Sequence, residues 1–215
     1  MTRSTGRKRG PAPASPRETP ARPQRADARR NVAAIIDAAQ DCLLRNPEAT
    51  IGDIAQAAGV GRVTLYGHFA TRAELVSAVF GRITEQADAA LDATDTSGDP
   101  REALARLLTA SWQIVDQFRS ILRAAERELP AEAIREHHDR HLHRLNTLIA
   151  RGQRSGAFRD DLPRPWLVTT CYSVMHAGAD ECTNGRLDPA DAGRVVTATL
   201  LAALSGPGST VPPSP

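Results

Sequence analysis

The stretch "ATIGDIAQAAGVGRVTLYGHF", residues 49–69, decides the fold of this chain. Thr50 and Asp53 form a T-x-x-D pair, the pattern of a capping box that opens a short helix. Gly59 ends that helix, because glycine readily adopts the left-handed conformation that turns the chain. A second short helix is predicted over Arg62–Phe69. Two short helices joined by a glycine turn predict a helix-turn-helix, whose second helix enters the DNA major groove.

The second of these helices has a predictable orientation. At 100° per residue, an inward Leu65 places Phe69 beside it, with Val63 and Gly67 on the opposite side. The flanks carry the polar side chains of Arg62, Thr64, Tyr66 and His68. Small residues on the outermost positions suit a helix pressed into a groove: Gly67 permits close approach, and Val63 can meet a thymine methyl group.

The rest of the chain also has helical periodicity. A helix from about Asp27 to Asn46 precedes the quoted stretch, and Thr71 caps another that runs to about Ala93. No stretch shows clear two-residue alternation, so the chain is predicted to be all-α. After the break "ATDTSGDP", helices are predicted near residues 101–118, 119–129, 131–153, 164–184 and 189–205.

The charge distribution divides the chain. Residues 1–30 hold nine Lys or Arg and two acidic residues, a net charge of +7, while the whole chain carries +2, which leaves −5 for the remainder. A basic arm on an acidic body indicates contact with a polyanion. The predicted organisation is a disordered basic arm (1–26), a helix-turn-helix domain (27–80), a helical effector-binding and dimerisation domain (81–205) and a disordered tail (206–215).

Composition excludes several classes of protein. No run approaches the roughly 18 apolar residues of a membrane span, and the N-terminus has no apolar signal core, so a cytoplasmic protein without membrane contact is expected. Cys42, Cys171 and Cys182 have no paired spacing and are expected to be reduced and buried. The motifs G-x-S-x-G and H-E-x-x-H are absent, so neither enzymatic activity nor a cofactor is expected.

Residues 49–80, "ATIGDIAQAAGVGRVTLYGHFATRAELVSAVF", resemble the DNA-binding unit of TetR-type (TetR/AcrR) transcriptional regulators. The T-x-x-D-I-A opening, the A-G-V turn, the T-L-Y-x-H-F helix and the following [TS]-[KR]-x-x-L helix are all present. The resemblance is specific over about Val32 to Phe80 and only architectural beyond it. It implies a DNA-binding regulator, most often a repressor in proteins of this type.

The resemblance also implies roles for individual residues. Arg72 matches a basic residue that grips phosphate, and Leu65 and Phe69 match buried anchors. Gly52, Gly61 and Gly67 depart from the usual larger or capping residues, so fewer base contacts are expected from the first short helix. The predicted DNA-binding residues are Thr50, Arg62, Val63, Thr64, Tyr66, Gly67, His68 and Arg72.

A dimer is expected to form through the last two helices, because one recognition helix buries too little surface for tight operator binding. The expected interface is a four-helix bundle across a two-fold axis, as the resemblance also implies. An intramolecular core is the alternative. The apolar residues on which this prediction depends are Leu167, Cys171, Val174, Met175, Gly178 and Cys182 in one helix, and Val195, Val196, Leu200, Leu201, Ala203 and Leu204 in the last.

Aromatic residues make up only 4% of the chain, so those in its second half stand out. Core packing explains most of them. Some are hypothesised to line a cavity for a small, largely apolar effector that turns the DNA-binding heads out of register. The candidates are Trp112, Phe118, Tyr172, Met175 and His176, with Trp166 as a further conspicuous aromatic.

The stretch "HHDRHLH" suggests a metal site only weakly. His137 and His141 are four residues apart on one face of the predicted helix, a spacing that suits two zinc ligands. No third ligand is identifiable in the sequence, so no metal is predicted.

The sequence leaves three candidate classes of function. They are an effector-released repressor on a palindromic operator, a constitutive or largely nonspecific DNA-binding protein, and a metal-assisted hydrolase, which the missing motifs disfavour.

Overall fold

A computed structural model describes residues 22–206, with side chains described from Arg29 onward. Within that range the chain forms helices without a strand, which confirms the all-α prediction. The helices are α1 (Arg22–Arg45), α2 (Ile51–Ala57), α3 (Arg62–His68), α4 (Arg72–Asp92), α5 (Pro100–Glu128), α6 (Ala131–His137), α7 (Asp139–Arg154), α8 (Arg164–Thr183) and α9 (Pro189–Leu204).

The helix-turn-helix forms as its local sequence predicts. The Thr50 hydroxyl accepts a hydrogen bond from the backbone N–H of Asp53, and the Asp53 carboxylate accepts one from the backbone N–H of Thr50 at 2.8 Å. Gly59 turns the chain at φ +66°, and Thr71 caps α4 through the N–H of Glu74. These local hydrogen bonds fix where α2 and α4 begin.

Helix α1 begins earlier than predicted, at Arg22 rather than near Asp27. Residues 22–26 therefore belong to a helix and not to the predicted disordered arm. The reason is that Pro and polar residues are tolerated in the first helical turn, where the backbone N–H groups need no partner. The rest of the predicted arm and the predicted tail after residue 206 lie outside the described residues.

Two other helix boundaries were predicted wrongly. Residues 100–128 form one continuous helix, α5, because no Pro or Gly interrupts them and both of its halves bury apolar side chains. Residues 131–154 form two helices instead of one, since the chain leaves helical geometry at His138 (φ −96°, ψ 0°).

Helices α4 and α5 join two hydrophobic cores. The first core lies among α1 to α4, the second half of α5 and α6, with Leu65 and Ile121 fully buried in it. The second lies among α5, α7, α8 and α9, with Leu108 and Leu200 fully buried. Because α4 runs unbroken through residues 80 and 81, the predicted domain boundary there falls inside a helix.

The cysteines are free and buried, as predicted. Burial raises the pKa of the Cys171 thiol to about 12, which keeps it protonated and unreactive. No helix within residues 22–206 is long and apolar enough to cross a membrane.

The substitution Gly178→Ala is expected to destabilise the fold by about 1 to 3 kcal/mol. A Cβ atom at Gly178 would lie 2.7 Å from Val196 Cγ2 and 3.1 Å from Trp112 Cζ3, so three packed helices would have to separate. Urea unfolding measures the change. The control is Gly67→Ala, whose added methyl group meets no atom within 4 Å; equal midpoints for the two variants would contradict the packing argument.

Candidate functional site

Helix α3 presents the orientation predicted for a recognition helix. Leu65 is fully buried and Phe69 is 9% exposed, whereas Val63 is 87% and Tyr66 51% exposed. Thr50, Arg62, Thr64 and Gly67 are also exposed, and His68 is half-buried. The predicted inward face is therefore confirmed, and an apolar valine and an aromatic ring project from the outward one. Contact of these residues with DNA stays a prediction.

Gly52 makes room for Arg62. A Cβ atom added at Gly52 would overlap the Arg62 guanidinium, which lies across α2. The two residues share an open groove with Thr50 and Tyr66. The missing side chain on α2 thus lets a longer, charged side chain from α3 occupy the same surface, a relation that the sequence does not reveal because it joins two helices.

The half-buried side chain of Arg72 is fixed by three contacts. Its Nε donates to the Ala49 carbonyl at 3.2 Å and its Nη2 to the Pro47 carbonyl at 2.8 Å, while Nη1 pairs with the Glu128 carboxylate. The guanidinium therefore ties the start of α4 to the α1–α2 loop and to the end of α5. These contacts use three of the five guanidinium N–H groups and hold the side chain in place. The phosphate contact implied by the resemblance stays a prediction.

A small apolar cavity lies where α4 and α5 meet α6, α7 and α8. Its volume is about 70 Å³. Helices α4 and α5 supply most of its lining, and four histidines from α6, α7, α8 and the α6–α7 junction supply the rest. Its lining residues are Phe80, Ile83, Thr84, Ala87, Asp88, Leu91, Ser111, Ile114, Val115, Phe118, Leu122, His137, His138, His141 and His176.

Two of the five predicted effector residues, Phe118 and His176, line this cavity. Tyr172 lies behind it, with its ring 4.2 Å from the His176 ring centre to centre. Trp112 and Met175 do not line it. Trp112 is buried against Gly178 and Gly193 and lines a separate pocket between α5 and α9, and Met175 is 4% exposed in the second core.

The α4 wall and the histidines other than His176 are cavity residues that the aromatic count did not find. The signal in the sequence that points to these residues is the "HHDRHLH" stretch. His137 and His141 lie in different helices, because helical geometry is interrupted at His138. The two residues therefore do not have the predicted four-residue spacing on one helix. Among the described residues, no three His, Cys, Asp or Glu side chains are arranged to hold a metal ion.

Burial keeps the inner histidines neutral. It lowers the pKa of His138 and of His141 to about 4, because the charged imidazolium would lose its hydration. The His138 Nδ1 lies 2.8 Å from the carbonyl of Ile134. A carbonyl can only accept, so this nitrogen carries the proton and Nε2 of the neutral ring is an acceptor.

The one acidic residue of the lining is already paired. Asp88 forms an ion pair with Arg144 of α7, which also pairs with Asp92, and the Arg144 Nη2 donates to the Asp88 carbonyl at 3.0 Å. These contacts join α4 to α7 beside the cavity. They also give the Asp88 carboxylate a positive partner, which offsets the cost of burying its charge.

The chain was compared with known proteins. The sequence model described as bacterial regulatory proteins, tetR family, matches residues 35–79. The HTH-type transcriptional repressor LfrR of Mycolicibacterium smegmatis is 37% identical over 165 residues, which cover 71% of this chain and 79% of that protein.

Solved structures share the whole fold. The TetR-like transcriptional regulator LfrR from Mycobacterium smegmatis, crystallised in complex with proflavine, superposes with a TM-score of 0.61 at 24% identity and covers 85% of this chain and 99% of that one. The transcriptional regulator FadR from Bacillus subtilis, in complex with stearoyl-CoA, gives a TM-score of 0.63 at 17% identity, with coverage of 80% and 98%.

The free energy of unfolding is expected to fall by about 1 to 3 kcal/mol between pH 6.5 and pH 5. The pKa of His138 and His141 is about 4 in the folded protein and 6.5 ordinarily. The unfolded chain therefore binds protons in this interval that the folded chain does not, and stability is fully present only above pH 6.5. Urea unfolding at several pH values measures the slope.

His141→Leu is expected to reduce that slope by about half, because one of the two proton-linked groups is removed. His143→Leu is the control, since His143 lies on the same helix and is exposed. A slope unchanged by His141→Leu would show that the buried histidines do not determine the pH dependence.

Proposed function

The chain belongs to the tetR family of bacterial regulatory proteins, and we propose that it is a transcriptional repressor released from a palindromic operator by a small, largely apolar effector. One observation carries this proposal: helix α4 begins at the recognition helix and further along forms a wall of the cavity. A change in the width of the cavity therefore acts on a helix that holds α3. The names of the relatives, a repressor and a ligand-bound regulator, support the same function.

The exposed face of α3 supports sequence-specific binding to double-stranded DNA. Val63 can contact a thymine methyl group, and Tyr66 and Arg62 can reach base edges and phosphates beside it. Gly67 has open space around it, so the α3 backbone can approach the groove closely. The predicted basic arm adds contacts that depend on salt but not on sequence.

The dimer is proposed to form through the outer faces of α8 and α9. The α8 stripe expected at the interface packs largely inside the chain: Leu167, Cys171, Met175, Gly178 and Cys182 are buried in the second core. The face that remains outside is small and mostly uncharged, with the exposed Trp166 at one end. It includes Thr170, Ser173, Ala177, Thr199 and Ala202. Small side chains let helices from two subunits pack closely, and the result is a four-helix bundle.

Release follows from the size of the cavity. Ligand sites measure roughly 300–1,000 Å³, far more than this one of about 70 Å³, so an effector must push the walls apart. The α5 wall is tied to the DNA-binding head by two ion pairs, Arg127 with Glu48 and Glu128 with Arg72. Widening therefore moves α4 and α5 relative to each other. It lowers the population of dimers whose two helix-turn-helix domains fit half-sites about 34 Å apart.

The test is a titration of the purified protein against labelled DNA from the region upstream of its own gene, at two salt concentrations and with excess competitor DNA. Tight binding that outlasts the competitor supports a specific repressor. Binding that collapses with competitor and salt indicates the largely nonspecific DNA-binding protein instead.

In that assay Tyr66→Ala and Arg62→Ala are each expected to cost about 1 to 3 kcal/mol of specific binding, because each removes a side chain that can reach base edges. Arg186→Ala is the control: it removes the same charge from an exposed pair with Glu181 after α8. Unchanged operator affinity in both α3 variants would mean that α3 does not read the operator.

Ala177→Arg is expected to convert the dimer to a monomer, because it places a large, charged side chain where the proposed bundle has small, uncharged ones. Sedimentation velocity measures the mass. His143→Arg adds the same charge to an exposed position on α7 and is expected to leave the dimer intact. A dimeric Ala177→Arg protein would move the interface away from this face.

A further inference from the structure

One nitrogen of a cavity-lining histidine has no partner. The Nδ1 atom of His141 is shielded from solvent and forms no hydrogen bond, although His141 lines the cavity. A buried polar atom without a hydrogen bond is costly, and native proteins satisfy the great majority of such atoms. The other polar lining groups differ in this respect: Ser111 donates to the Leu107 carbonyl at 2.7 Å, and His138 Nδ1 donates to Ile134.

The neutral histidines of the lining each carry a hydrogen-bond acceptor. His138 is neutral with its proton on Nδ1, so its Nε2 is an acceptor. His141 is neutral as well, so one of its two ring nitrogens has a free lone pair, and its Nδ1 is the nitrogen that is buried without a partner. A hydroxyl group satisfies such an atom directly.

The cavity walls disfavour an anion. Among the described residues no Lys or Arg lines the cavity, and the carboxylate of Asp88 is already paired with Arg144. An anion would lose its hydration there without gaining an opposite charge. The remaining walls are apolar and aromatic: Phe80 packs against the rings of His137 and His138 at 5.4 and 5.6 Å, and Phe118 lies on α5.

We propose that this cavity binds an uncharged aromatic molecule that carries an O–H or N–H group, and that this group donates a hydrogen bond to His141 Nδ1. The ring packs between the Phe80 and Phe118 walls, and the donor lies at the histidine end. The inference rests on the proposed function in taking this cavity as the effector site, and it adds the chemical class of the effector.

The experiment uses the full chain and three probes with one ring each. Phenol carries a donor, anisole has the same oxygen without the proton, and benzoate carries a negative charge. Histidine ring ¹⁵N shifts of the labelled protein follow each titration and report on the hydrogen bond itself. Phenol is expected to bind on the order of tenfold tighter than anisole, benzoate to bind most weakly, and phenol alone to shift His141 Nδ1.

Variants separate the hydrogen bond from the packing. His141→Leu is expected to bring phenol down to the affinity of anisole and to leave anisole unchanged. His141→Gln retains an acceptor in its amide oxygen, so it is expected to keep part of the preference. His143→Leu, on the exposed side of α7, is the matched control and keeps all of it.

Equal affinities for phenol and anisole, tighter binding of benzoate, or a preference that survives His141→Leu would each overturn the inference, as would the failure of phenol to bind. The operator titration, repeated with saturating phenol, tests the proposed function separately. Phenol that binds through His141 without weakening DNA binding leaves this inference standing and contradicts release by an effector here. Release of DNA by an anionic or purely apolar compound supports release by an effector and contradicts the chemical class proposed here.

Discussion

The packing of α4 against α5 is the interaction on which the rest of the structure depends. Both helices contribute to the core beneath the helix-turn-helix and to the contacts around the cavity, so neither half of the chain can be repacked alone. Helix α3 has only seven residues, too few to be stable by itself, and it holds its place through Leu65 and Phe69 in the first core. The DNA-binding surface is thus supported by a core to which both α4 and α5 contribute.

Polar contacts tie the same pair to its surroundings at both ends. Arg72 joins the start of α4 to the end of α5 through Glu128, and Arg144 joins α4 to α7 through Asp88. Both guanidinium groups are largely covered and bond to backbone carbonyls as well, so their loss would leave buried carboxylates or carbonyls without partners. The cavity lies along the second half of α4, and Asp88 belongs to its lining.

The parts of this architecture that follow from short-range chemistry could be predicted from sequence. The Thr50 and Asp53 capping box, the turn at Gly59 and the inward face of α3 each depend on residues within one or two helical turns. The rest depends on contacts between distant segments. The Arg62 side chain lies over Gly52, and Trp112 fills a space left by glycines on α8 and α9. Such contacts between helices cannot be predicted from the hydrophobic periodicity of a single helix.

The residues that break local rules coincide with the proposed working surfaces. Gly67 weakens a helix yet lies where a close approach to DNA is useful, and the chain breaks at His138 where a continuous helix would satisfy more backbone groups. Neutral histidines in the cavity cost stability whenever an acceptor such as His141 Nδ1 has no donor. A ligand that supplies the donor removes that cost, so the missing hydrogen bond adds to the binding energy of such a ligand. Selectivity for ligands with a donor group therefore follows from an unsatisfied acceptor in the unliganded protein.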